Sequence, residues 1–237
     1  VTISKISGRL ERVELNGKVI SLKNGPRLAT GESALKEIHL DQSGRTPVVN
    51  ATYTGGLKKV RWQLETDGKL DCQYTYQAAG KQNYFGVLFD YPESQAQAKR
   101  WLGAGPYRVW KNRLVGGALN VWTNEYNDTI TGYRGWIYPE FKGCFANVRW
   151  LQLATREGTL TVVPEQVPCL QVFTPDLPPK KLLGHAYASL PECGLGLLDA
   201  IPPIGSKFRG PETTGPQGQE NIGRGEYSGR VDFYFEN

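Results

Sequence analysis

Apolar and polar residues alternate with a period of two along most of this chain. In 58–65 (KKVRWQLE), Val60, Trp62 and Leu64 fall on one side; in 69–76 (KLDCQYTY), Leu70, Cys72, Tyr74 and Tyr76 do the same. Successive side chains of a strand point to opposite faces, so this pattern predicts half-buried β-strands. Thr66-Asp67-Gly68 between them predicts a hairpin turn, because glycine accepts the positive φ that such turns need. Val13 and Leu15 run into Asn16-Gly17, a strong short hairpin signal, and the chain returns over 19–22. Residues 146–155, 159–163, 169–173 and 230–235 also predict strands. Only 94–102 (SQAQAKRWL) predicts a helix, with Ser94 as its cap and Ala, Gln and Lys favouring it. The expectation is an all-β chain with one short helix at most.

The 28 glycines and 15 prolines punctuate these strands as turns. They concentrate in 175–181 (PDLPPKK) and in 202–225. A connection as long as the second is functional or disordered more often than it is a plain link. It carries Lys207, Phe208 and Arg209 between glycines. Binding residues gather on loops held by a rigid scaffold, so these three are the candidate ligand contacts.

A chain of 237 residues can bury one good core, as a large β-domain or two small ones. Its 28 basic and 23 acidic residues give a formal charge of +5, but the basic residues are scattered. Nucleic-acid binding concentrates them in a stripe, so no nucleic-acid partner is expected. No apolar run approaches the roughly 18 residues of a membrane helix, and no membrane partner is expected. Methionine is absent, position 1 included, so the chain is expected to be part of a longer one or trimmed from it. The four cysteines (72, 144, 169 and 193) form no CxxC and are too far apart in sequence to suggest a zinc site. Buried free thiols are the expectation, with disulfides the alternative for an exported protein. No metal and no cofactor is expected.

Isolated residues tempt a catalytic reading. Glu125 follows an asparagine, but a (β/α)₈ barrel needs eight helices that this chain does not have, so no catalytic residue is assigned. His185, in LLGHAYASL, is expected to be a packed core residue. Trp62 and Trp150 sit in alternating strands and are expected in the core. Trp110, Trp122 and Trp136 lie in looser contexts and are the candidates for exposure.

Four segments in order carry a family resemblance: SGRLERVELNGKVI, WLGAGPYRVWKNR (101–113), YPEFKGCFANVRWLQL (138–153) and GLGLLDAIPPIGSKF (194–208). Together they resemble the C-terminal β-sandwich domain of glycoside hydrolase family 2 enzymes, the β-galactosidase group. The resemblance implies a large antiparallel double-sheet supersandwich of the galactose mutarotase-like type, one domain over 1–237. It makes 101–113 a structural corner, with Gly103 and Gly105 for turn geometry and Pro106 fixing φ. It places the catalytic glutamates on a separate barrel that this chain lacks and makes that barrel a partner. It also implies a loop, here about 205–212, that reaches the edge of the sugar site. The family's aromatic there is usually a tryptophan; this chain has Phe208, flanked by Lys207 and Arg209 as donors to hydroxyls. The implied ligand is a β-linked galactoside or related sugar. Two rival readings are a free-standing carbohydrate-binding module, with Trp110, Trp122, Trp136 and Tyr138 as its platform, and a mutarotase-like epimerase using His185 or His39.

Overall fold

The computed structural model describes residues 1–125, 143–174, 184–186 and 188–237. Its strands in chain order are β1 (Thr2–Ile3), β2 (Leu10–Leu15), β3 (Lys18–Ile20), β4 (Lys23–Leu28), β5 (Ser33–Asp41), β6 (Val48–Gly55), β7 (Leu57–Leu64) and β8 (Leu70–Gln82). They continue with β9 (Phe85–Asp90), β10 (Ala96–Val109), β11 (Ala118–Glu125), β12 (Cys144–Thr155), β13 (Gly158–Glu165), β14 (Cys169–Val172), β15 (Leu195–Ala200) and β16 (Asn221–Glu236). Among the described residues there is no α-helix, only 3₁₀ turns. The fold is all-β and antiparallel, as the alternation predicts.

The hairpin signals hold. Asn16 and Gly17 carry φ of 52° and 79° between β2 and β3. Between β7 and β8, Gly68 has φ of 86°, and the Asp67 side chain accepts the Lys69 N–H at 3.0 Å.

The helix expected over 94–102 does not form. A single 3₁₀ turn at Glu93–Gln95 gives way to β10, whose backbone is paired on one side by β11 and on the other by β12. From 98 to 105, Lys99, Trp101, Gly103 and Gly105 are buried while Arg100 is exposed and Ala98, Leu102 and Ala104 are half-buried, a period of two. Helix propensity here is worth tenths of a kcal/mol per residue, and two strand neighbours outweigh it. The strand also runs through most of 101–113, so the corner lies at its end, where Trp110 and Arg113 bridge each other.

Thirteen strands of the described residues form one sheet. Its main path is β4-β9-β15-β14-β12-β13-β16-β8-β7-β6-β5. Strands β1 to β3 form a small sheet beside it. The large sheet folds back on itself. Phe89 of β9 meets Trp62 of β7 at 6.3 Å and Phe233 of β16 at 5.1 Å, although β9 is adjacent to neither in the sheet. The two facing parts are the layers of the sandwich, and the buried aromatic and aliphatic side chains between them are its core. Tyr76 of β8 donates its hydroxyl to Asp199 of β15 across the same space. Burial raises the Asp199 carboxyl above its ordinary value, and the Tyr76 hydrogen bond pulls it back. The small sheet is pinned by buried Glu157, which accepts the Ser21 N–H and the Tyr91 hydroxyl, each at 2.9 Å.

All four cysteines are free thiols; Cys72, Cys144 and Cys169 are buried and Cys193 is partly so. Burial pushes Cys169 and Cys193 up to about 12, and Cys72 and Cys144 well above the usual thiol range. The thiolate is the reactive form, so the folded chain should resist iodoacetamide at pH 8. Mass spectrometry is expected to find the native chain essentially unlabelled and all four thiols labelled after unfolding in guanidinium chloride.

Candidate functional site

The connection from β15 to β16 is built outward from a buried base. Ile201 and Ile204 join a second apolar cluster with Trp110, Val109 and Leu198, and Trp110 is fully buried there. The chain then passes over the turn that follows β10. Asn112 binds the backbone of Ile204 in both directions: its amide donates to the Ile204 carbonyl at 2.8 Å and its oxygen accepts the Ile204 N–H at 2.9 Å. Lys111 donates from its ammonium to the carbonyls of Gln219 and Glu220 at 2.8 and 3.1 Å. Asn221, at the start of β16, donates to the carbonyls of Asn83 and Ile201. The connection is therefore stapled at both ends by side chains from elsewhere in the chain. Its last residues, 221–225, belong to β16 and not to a loop.

At its tip, the Ser206 N–H donates to the Arg209 carbonyl at 2.9 Å, and the Ser206 hydroxyl oxygen accepts the N–H groups of Phe208 and Arg209 at 3.3 and 3.1 Å. This turn lifts Phe208 into solvent, 81% exposed. The Lys207 ammonium lies 5.7 Å from the Phe208 ring centre. Gly205 allows the close approach beneath: a Cβ there would stand 2.2 Å from the His185 carbonyl oxygen and 2.6 Å from that of Arg209. The three residues singled out in the sequence thus share one turn, with Phe208 between two cationic residues along the chain.

Several other readings are corrected. His185 is exposed rather than packed in the core, on a 3₁₀ turn (Gly184–Ala186) whose backbone abuts Gly205. His39 is also exposed, on β5 at the edge of the sheet. Trp110 is buried rather than exposed. Trp122 is half-buried, its indole N–H donating to the Gly103 carbonyl at 3.2 Å and its ring covering Gly105. Trp150 is half-buried rather than in the core, with the Arg100 guanidinium 5.8 Å over its ring. Trp62 is in the core, as expected. Glu125 ends β11, paired with Ala98. Trp136 and Tyr138 lie outside the described residues, as do 175–181. A platform of the four aromatics is not available, since Trp110 is sealed in the core. Among the described residues no group of three or more His, Cys, Asp or Glu could hold a metal ion.

The functional residues that sequence reasoning missed are Lys111 and Asn112. Their only signal is a polar pair between Trp110 and Arg113, and nothing local says that they grip a segment about 90 residues further on.

The family model described as the beta galactosidase small chain matches residues 27–192. The chain belongs to that family. The small-chain match contains the 101–113 segment and ends before Lys207, Phe208 and Arg209. A comparison with curated proteins finds no match. Among solved structures the chain is similar to the crystal structure of the GalM/aldose epimerase homologue from C. elegans, at 6% identity, a TM-score of 0.37, and coverage of 99% of this chain and 81% of that one.

Proposed function

We propose that the chain, as one domain over 1–237, is the non-catalytic C-terminal part of a family 2 glycoside hydrolase of β-galactosidase type. It packs on the catalytic barrel of the same enzyme and lends the 205–212 turn to the rim of a site for a β-linked galactoside or related sugar. The carboxylates that cleave the bond belong to the barrel. Family membership supports this reading, and the observation that carries it is the Phe208 turn. A large apolar ring held 81% exposed on a stapled turn has no packing role among the described residues. It suits the apolar face of a pyranose, with Lys207 and Arg209 as donors to hydroxyls.

Phe208→Ala in the intact enzyme is expected to raise KM for a β-galactoside about tenfold, equivalent to ~1.4 kcal/mol, with the melting temperature unchanged. An unchanged KM in both Phe208→Ala and a Lys207→Ala/Arg209→Ala variant would remove the turn from the sugar site.

A further inference from the structure

A polar trough of about 540 Å³ lies on the outer face of β6, β7, β8, β16 and β13, away from the Phe208 turn. Strand register makes it a built surface. Asn50, Arg61, Gln73, Arg230 and Glu165 are successive cross-strand partners and form one straight row across five strands. Thr52, Lys59, Thr75 and Ser228 form a second row beside it. The alternate residues of the same strands, Val60, Trp62, Cys72, Tyr74 and Val231, face the core.

A solvated sheet face normally leaves long side chains free. Here one carboxylate fixes three of them. Asp71, 1% exposed, accepts from the Arg61 guanidinium at 3.3 Å, from the Gln73 amide at 3.0 Å and from Arg230 Nε. Arg230 is held further by Glu165 and Asp232, each at 3.5 Å. Fixing donors before a ligand arrives removes much of the ordering cost of binding. The lining also indicates the ligand. The tyrosine among its residues, Tyr74, is 2% exposed and turned to the core, so the floor offers no ring for stacking on a neutral pyranose. It offers the exposed Lys59 ammonium, three amides, three hydroxyls and the N–H groups of two guanidiniums that are paired in part with Asp71, Asp232 and Glu165. That excess of donors matches a ligand rich in charged acceptors.

We propose that this trough is a carbohydrate site independent of the Phe208 turn, and that it takes a short oligosaccharide bearing carboxylate or sulfate groups. Calorimetric titration of the full chain with trigalacturonic acid and with a sulfated disaccharide tests it, with neutral β-1,4-galactotriose as control. At least one acidic probe is expected to bind tighter than about 1 mM and to weaken on adding salt, with no measurable heat from galactotriose. Lys59→Ala, at an exposed position, is expected to weaken binding at least about fivefold through loss of one charge-assisted contact. Thr75→Glu, which sets a like charge in the trough, is expected to abolish it, with circular dichroism confirming the fold of both variants. Phe208→Ala is expected to leave it unchanged, which separates this site from the rim turn. The proposal is overturned if neither acidic probe binds, if galactotriose binds as tightly, or if Phe208→Ala abolishes binding while Lys59→Ala does not.

Discussion

Trp110→Ala is expected to lower the unfolding free energy by about 3–5 kcal/mol, the range for deleting a large aromatic side chain from a core. The indole is fully buried among Val109, Ile201, Ile204 and Leu198. It supports both the end of β10 and the first residues of the connection that carries Phe208, so the cavity would open between these two elements. Asn112 would still grip Ile204, but on a base that has lost its packing. Guanidinium chloride denaturation checks the magnitude, and amide exchange at 204–214 checks the location, with faster exchange there than in β8 or β16. Trp122→Ala is the control. Its ring is half-buried, and it should cost clearly less. A Trp110→Ala chain within about 1 kcal/mol of the parent would fall below the usual cost of such a deletion and show that the ring does not carry this packing.

Asp71→Ala is expected to cost about 3 kcal/mol. Removing one partner of a buried pair usually costs roughly 3–5 kcal/mol, because the other charge is left without compensation. The low end applies because the Arg61 and Arg230 side chains are each 35% exposed and water screens them once they are released. The Gln73 amide loses its acceptor in the same change. A double variant, Asp71→Ala with Arg230→Ala, is expected to be more stable than the sum of the two single losses, since it removes one of the stranded charges. Additive losses in denaturant titrations would show that Asp71 and Arg230 do not act as a unit. The same carboxylate organises the floor of the trough, so Asp71→Ala should also weaken acidic oligosaccharide binding in any chain that remains folded.

The Phe208 turn was legible in the sequence as a composition. Lys207, Phe208 and Arg209 stand between glycines in a long Pro/Gly-rich connection. How it is held was not legible, because the hydrogen bonds of Asn112 and Lys111 span about 90 to 109 residues and leave no local mark. The trough was hidden for a related reason. Arg61, Gln73, Arg230 and Glu165 are ordinary outward-facing positions of separate strands, and only the register of four pairings sets them in one row with Asn50.

Alternation within a strand depends on neighbours two residues apart, so it survives in the sequence. It fixed the hairpin at Asn16-Gly17, the β7–β8 pair and the core positions of Trp62, Cys72 and Tyr74. It failed where partners far along the chain decided the outcome. The Ala- and Gln-rich start of β10 is a strand because β11 and β12 pair it on both sides. Strand β9 (FGVLFD) escaped notice because it lies inside the sandwich and is buried almost throughout, which erases the alternation. Trp110 and His185 exchanged their expected places for the same reason. Burial is set by which layer closes over a residue, and that is a property of the folded sheet rather than of the residues beside it in sequence.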